Sequence, residues 1–187
     1  MSDDELPELF AKINLVDGKT VPVGQKFTVD ASATGGVAPY QYKYSYVSSD
    51  GKETVVKDYS TNTSAEFTIS AAGSYKVKVT AKDVKNQVSE ASTDLTVTSV
   101  SISSFMADKT TAKTNETVKF KAIPNTTAIP VTYSYSVSGN GTTQSLVTNS
   151  DNTASWKPEK EGQYTITAKL LYNNTAIATK TMSYTVE

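Results

Sequence analysis

The chain has 187 residues, 37% of them hydrophobic, and a formal net charge of −1 at pH 7. It contains no cysteine and no histidine, and all 18 basic residues are lysine. These absences exclude Ser-His-Asp and Cys-His catalysis, disulfide bonds and Cys/His zinc sites, and they leave no arginine to read phosphate or guanine bidentately. The composition therefore predicts no enzyme, no cofactor or metal and no nucleic-acid partner.

The apolar residues are of the kind that suits β-strands. The chain has 28 Thr, 19 Val and 11 Tyr, against 7 Leu and 3 Met. β-branched and aromatic residues pack well on a pleated, half-buried surface, whereas Leu and Met favour helices. No stretch approaches the ~18 apolar residues of a membrane-spanning helix. We predict an all-β protein that does not insert into a membrane.

The sequence repeats itself after about 90 residues, which indicates two copies of one structural unit. Aligned pairs include Phe27 with Val118, Tyr42 with Tyr133, Tyr44 with Tyr135, Tyr46 with Val137, Phe67 with Trp156, Gly73 with Gly162 and Tyr75 with Tyr164. We predict two domains, 11–98 and 99–187, preceded by a linker remnant or frayed tail at 1–10. Since 97–102 alternates without Gly or Pro, we expect a joint of limited flexibility and an elongated pair.

Each copy has the pattern of about seven short strands separated by turns, which is typical of an immunoglobulin-like β-sandwich. Alternating apolar and polar residues, as in Phe27-Thr28-Val29, mark strands with one buried face. The strands located in chain order are 26–31, 38–47, 54–59, 65–69, 75–82 and 88–98 in the first copy, and 118–122, 131–137, 142–148, 154–156, 164–170 and 177–186 in the second. Asp50-Gly51 and Gly139-Asn140-Gly141 supply tight turns.

Four tyrosines alternate along the strand 38–47, and they support two interpretations: a platform for sugar rings or one face of the core. The second copy favours the core, because valine replaces Tyr40 and Tyr46 there. Trp156 aligns with Phe67 and is assigned to the core in the same way. Tyr75 and Tyr164 each follow a turn glycine by two residues, as in a tyrosine corner. Tyr59 and Tyr172 are then the candidates for exposed aromatic contacts.

Two further chemistries receive little support from the residues. Calcium requires clustered oxygen ligands, and the aspartates are scattered singly along the chain. An intramolecular Lys–Asn isopeptide bond would need a buried acid, for which Glu66 or Glu116 are the candidates. Alternation places most acids and lysines on outward faces.

The first copy resembles the bacterial triple-tyrosine Ig-like domain. The resemblance rests on Gly35 to Tyr44, Asp58-Tyr59-Ser60 and Gly73 to Asp83, and in the second copy on Trp156 to Tyr164. The second copy departs from the pattern, since it lacks the Gly-Gly pair before Pro130 and the Asp-Tyr-Ser segment. The resemblance implies an extracellular or cell-surface location within a larger multidomain chain, and it brings no catalytic residues.

Two functions remain open at this point. The first is a non-catalytic segment of a secreted or surface protein that acts as a semi-rigid spacer or an adhesion module, monomeric, with an unknown protein partner. The alternative is a carbohydrate-binding module that accompanies a cell-wall or polysaccharide hydrolase and uses Tyr59 and Tyr172.

Overall fold

The computed structural model describes residues 6–187, which form two compact β-sandwich units; the chain passes from the first to the second between Ser99 and Val100. Sixteen strands lie in four open sheets, and the described part of the chain contains no helix. The predicted all-β fold of two tandem sandwiches is confirmed. Among residues 6–187 there is accordingly no helix that could cross a membrane.

The first unit consists of a three-stranded sheet facing a five-stranded sheet. Its strands are β1 (Phe10–Leu15), β2 (Thr20–Pro22), β3 (Lys26–Thr34), β4 (Gln41–Ser48), β5 (Glu53–Ser60), β6 (Ser64–Thr68), β7 (Gly73–Lys82) and β8 (Val88–Thr98). The small sheet has the order β1-β3-β6 and the large sheet the order β2-β8-β7-β4-β5. Phe27, Val29, Val77 and Val79 alternate with polar residues and fill the space between the sheets.

The second unit repeats this topology. Its strands are β9 (Ile102–Ala107), β10 (Thr111–Ala112), β11 (Val118–Pro124), β12 (Thr132–Gly139), β13 (Thr142–Asn149), β14 (Thr153–Trp156), β15 (Gly162–Tyr172) and β16 (Thr175–Val186). The orders are β9-β11-β14 in the small sheet and β10-β16-β15-β12-β13 in the large one. Aromatic rings dominate its core, where Phe120 packs against Trp156 and Tyr184 at centroid distances of 6.3 and 5.8 Å.

Each unit has eight strands rather than seven because its first strand is divided between the two sheets. In the first unit, β1 pairs antiparallel with β3, and β2 then crosses to pair parallel with β8. A turn at Asp17 and Gly18 separates the two, with Gly18 at a φ of +86°. The Asp17 carboxylate accepts a hydrogen bond from the Thr28 N–H at 2.8 Å and holds this turn against β3.

The structure differs from the sequence-based expectation at the amino terminus. Residues 1–5 lie outside the described residues, but within the predicted tail 1–10 the strand β1 already begins at Phe10. Leu9 is 4% exposed and belongs to the core of the first sandwich. The Pro7 carbonyl accepts a hydrogen bond from the Gly36 N–H at 2.9 Å. A single apolar anchor and backbone hydrogen bonds hold this segment, and neither produces a strand pattern in the sequence.

Candidate functional site

The outer face of the five-stranded sheet in the first sandwich carries an ionic network. The Lys78 ammonium on β7 lies 2.9 Å from the Glu53 carboxylate on β5 and 3.4 Å from that of Glu90 on β8. The Ser45 hydroxyl donates to Glu53 at 2.7 Å and the Thr80 hydroxyl to Glu90 at 3.3 Å. The hydrogen bond from Ser45 and then that from Lys78 lower the pKa of Glu53, and the bond to Glu53 raises the pKa of Lys78.

Tyr59 lies on the same face, at the free edge of the sheet. The β4–β5 pairing shifts register on both sides of Tyr44, and this irregularity places Tyr59 near Lys43 and Lys82. Their ammonium groups lie over its ring, 5.5 and 4.6 Å from the ring centroid. The side chain is half-buried, and burial is the main cause that raises its pKa. The ring is therefore covered by two lysines rather than open as a stacking platform.

The expectation that Tyr172 is exposed is wrong. Tyr172 is 7% exposed at the end of β15, next to the Asn173-Asn174 turn. It has the same parity as the buried Ala168 and Leu170, so it takes an inward position. Continuing the alternation of β15 by two residues would have predicted this burial.

Most other tyrosines are part of the sandwich itself. Tyr42 and Tyr44 are buried, and the partly buried Tyr40 donates its hydroxyl to the Gly35 carbonyl at 2.6 Å. The core interpretation of the tyrosine strand is confirmed. The assignment of Trp156 to the core is confirmed as well, since 5% of it is exposed.

Tyr75 and Tyr164 form the predicted tyrosine corners. Tyr75 donates to the carbonyl of Ala71 at 2.9 Å, and Tyr164 donates to that of Lys160 at 2.8 Å. Both bonds reach four residues upstream, across the turn that opens the strand. These hydroxyls stabilise turns and are not available to a ligand.

The proposed isopeptide acids lie on the surface. Glu66 pairs with Lys26 at 3.0 Å, and both side chains are more than half exposed. Glu116 pairs with Lys109 at 2.6 Å in a partly exposed position. Neither acid is buried beside a lysine and an asparagine. Within residues 6–187, no group of three or more carboxylates could hold a metal ion.

A pocket that the sequence did not indicate lies in the second sandwich. It has a volume of about 400 Å³ and opens near the edge strand β13. It is lined by Val137, Gly139, Asn140, Thr142, Gln144, Trp156, Lys157, Glu159, Lys160 and Tyr164. Aromatic side chains, amides and charged groups of both signs line this pocket.

Comparison with known proteins supports the family resemblance in the first sandwich. The model of the Y_Y_Y domain matches residues 38–99, which include the tyrosines of β4 and the corner at Tyr75. This match confirms the resemblance to triple-tyrosine domains that the sequence indicated. No curated protein matches the chain.

Similar solved structures include fibronectin type III modules and a bacterial adhesin. The fibronectin(III)-like modules of CbhA from Clostridium thermocellum are 18% identical, with a TM-score of 0.42 and coverage of 94% of either chain. A two-domain fibronectin type III segment of chicken tenascin is 14% identical, with a TM-score of 0.44 and coverage of 97% of this chain and 99% of that chain. A bacterial ice-binding adhesin is 14% identical, with a TM-score of 0.47 and coverage of 97% and 65%.

Proposed function

We propose that the chain is a non-catalytic spacer in a larger secreted or cell-surface protein, and that its two sandwiches are built to resist tension along the chain. The observation that carries this proposal is the parallel pairing of a strand near the start of each sandwich with its last strand. β2 lies parallel to β8, and β10 lies parallel to β16.

This pairing decides how a pulling force acts on the hydrogen bonds. In a parallel pair, the start of the first strand and the end of the last strand lie at opposite ends of the pair. A force on the two ends of a sandwich therefore slides β2 along β8 and loads all the bonds between them together. An antiparallel pair would place both ends on one side, and its bonds would break one after another.

Hydrogen bonds flank the parallel pair in the first sandwich on both sides. The Thr96 N–H donates to the Lys19 carbonyl at 2.8 Å, and the Val23 N–H donates to the Thr98 carbonyl at 2.9 Å. Val21 and Val97 lie between them and are 1% and 2% exposed, so water is excluded from this contact. Burial strengthens these bonds electrostatically and makes their loss costly.

The residues also support the absence of catalysis. A spacer needs no acid–base pair. The hydroxyls of Tyr44 and Tyr135, whose pKa is raised to about 12, donate to backbone carbonyls inside the sandwiches. Location at a cell surface and a role in adhesion are supported by the triple-tyrosine resemblance alone.

Single-molecule force spectroscopy on the whole chain tests the proposal. Val23→Pro removes the N–H that bonds to Thr98, and it also changes a side chain that is partly buried against the core. Val29→Ala is the matched control, because it removes buried methyl groups from the core outside the parallel pair and lowers equilibrium stability. Forced unfolding reports the unfolding barrier rather than the equilibrium free energy.

We expect Val23→Pro to lower the unfolding force of the first sandwich clearly more than Val29→Ala does, even where both variants lose the same free energy of unfolding. Equal losses of force in the two variants would show that the parallel pair does not resist tension, and the proposal would then be abandoned.

A further inference from the structure

A spacer has no use for the pocket beside β13 in the second sandwich. Comparison of aligned positions in the two copies shows how this pocket arises. In the first sandwich the Tyr46 ring packs against Tyr75 and Phe67 at centroid distances of 5.6 and 6.4 Å. The second copy has Val137 at the aligned position, which lacks a ring. The pocket lies where this ring is missing, with Val137 in its wall.

Two aromatic residues line the pocket: Tyr164, which is partly exposed, and Trp156, most of which is buried in the core. Trp156 and Tyr164, the counterparts of Phe67 and Tyr75, lie 4.8 Å apart in an edge-to-face arrangement. The Asn140 amide donates to the Tyr164 hydroxyl at 2.7 Å and to the Glu161 carbonyl at 3.2 Å. These bonds fix one rim of the pocket before any ligand arrives, which reduces the entropy lost on binding.

Other residues that line the pocket carry polar groups that the fold does not use. The side chains of Gln144 and Glu159 are exposed, and neither makes a hydrogen bond or ion pair with another of the residues 6–187. Lys157 and Lys160 also line the pocket, and their ammonium groups have no carboxylate partner within the same residues. An amide, a carboxylate and two ammonium groups thus surround an aromatic wall.

We propose that this pocket binds a single saccharide unit or the end of a glycan chain. Saccharides combine C–H faces, which pack against aromatic rings, with hydroxyl groups, which pair with amides and carboxylates. The volume of about 400 Å³ lies within the range of small-molecule sites. The proposal does not depend on Tyr59 or Tyr172.

The only tryptophan of the chain lines the pocket, so its fluorescence reports occupancy directly. The whole chain is titrated with glucose, galactose, xylose, N-acetylglucosamine, galacturonate and their oligosaccharides. We expect a saturable fluorescence change with at least one of them, at a Kd of about 1 mM or tighter. Two-dimensional NMR of labelled protein is expected to show shifts confined to 137–144 and 156–164.

Val137→Tyr is the main variant, because it restores the ring that the first sandwich carries at this position. It is expected to keep the fold by circular dichroism and to abolish binding. Gln144→Ala with Glu159→Ala leaves the core untouched and is expected to weaken binding about fivefold or more. Lys169→Gln, on the outer face of β15, is the control and should bind as the parent does.

Either of two results would overturn the proposal. One is the absence of any fluorescence or NMR change with all saccharides up to about 10 mM, which corresponds to a negligible affinity. The other is unchanged binding by a folded Val137→Tyr variant, which would place the ligand elsewhere. Both results leave the force measurements on the parallel strands unaffected.

Discussion

Tyr44 and Tyr135 occupy equivalent positions in the two sandwiches and make the same hydrogen bond across each core. The Tyr44 hydroxyl donates to the Asn62 carbonyl at 2.8 Å, and the Tyr135 hydroxyl donates to the Asn152 carbonyl. Each bond joins the large sheet to the loop that precedes β6 or β14 in the small sheet. Tyr44 and Tyr135 are 0% and 1% exposed, so these hydroxyls link the two layers without contact with water.

Loss of either hydroxyl should destabilise its own sandwich. Tyr44→Phe and Tyr135→Phe each leave a carbonyl without its tyrosine donor, and we expect a loss of about 1–2 kcal/mol in the free energy of unfolding. Urea denaturation followed by circular dichroism measures this, and Trp156 fluorescence follows the second sandwich alone. Tyr59→Phe is the control, since the Tyr59 hydroxyl bonds to no other residue in 6–187; a change as large as that of Tyr44→Phe would contradict the assignment.

The same two tyrosines should make the protein sensitive to alkali. Burial raises the pKa of Tyr44 and of Tyr135 from 10.0 to about 12. The folded state therefore holds these protons more tightly than the unfolded state, and stability is full below pH 10 and falls between pH 10 and about 12. We expect an unfolding transition in this window by circular dichroism. The double variant Tyr44→Phe, Tyr135→Phe should lose stability less steeply there; an identical slope would refute the linkage.

Gly35 should tolerate substitution less well than a glycine in an open turn. Its φ is +72°, and an added Cβ would lie 1.8 Å from the Glu8 carbonyl oxygen. Gly51 has a φ of +84° but no atom within 4 Å of such a Cβ. Gly51→Ala therefore measures backbone strain alone, which costs about 1–2 kcal/mol. We expect Gly35→Ala to lower the melting temperature further and to release 7–9 from the sandwich, as hydrogen exchange would show.

This pair of glycines also shows where sequence reasoning reaches its limit. The sequence shows the Gly35-Gly36 pair as part of the family resemblance, but it does not show the segment 7–9 that packs against this pair. Only one side chain of this segment, that of Leu9, is buried in the core, so the segment has no alternation of apolar and polar residues that a sequence pattern could reveal. Alternation located twelve of the sixteen strands, because each of these buries one face, but it did not locate β1, β2, β9 or β10. Leu9 gives no such signal, since only its own side chain is inside.

The pocket was hidden for a related reason. Val137 aligns with Tyr46 of the first copy, which predicts a buried position, and Val137 is indeed buried. Whether neighbouring side chains fill the space of the missing ring depends on how Trp156 and Tyr164 pack. The alternation of apolar and polar residues contains no information about this packing. The sequence did not show that Lys43 and Lys82 cover the Tyr59 ring, because two register shifts in the β4–β5 pairing decide the environment of this residue.

Asp83 should link the stability of the first sandwich to acid. Burial alone would raise its pKa, but the N–H groups of Val37, Gln87 and Lys85 donate to its carboxylate and lower the pKa on balance. Its stabilising effect is thus complete above the ordinary aspartate pKa of 3.8 and is lost as pH falls through its depressed value.

Asp83→Asn tests this link. The amide presents an N–H group where the loop supplies donors, and we expect a loss of stability at pH 7 that shrinks towards pH 3. Asp94→Asn is the control, because its ion pair with Lys76 is exposed and contributes little. A loss in Asp83→Asn that stays constant with pH would show that the charge of the carboxylate is not what holds the loop.

Tyr184 should behave in the opposite way to Tyr135, although both are buried in the second sandwich. Its hydroxyl is buried and has no hydrogen-bond partner among 6–187, while its ring packs against Phe120 and Trp156. A buried hydroxyl without a partner loses its bonds to water and gains none in return. Tyr184→Phe keeps the ring contacts and removes this cost, so we expect the free energy of unfolding to stay equal or to rise by about 1 kcal/mol.

Urea denaturation followed by Trp156 fluorescence compares the variant with Tyr135→Phe on the same sandwich. A loss of stability in Tyr184→Phe as large as in Tyr135→Phe would mean that an internal water or another group satisfies this hydroxyl.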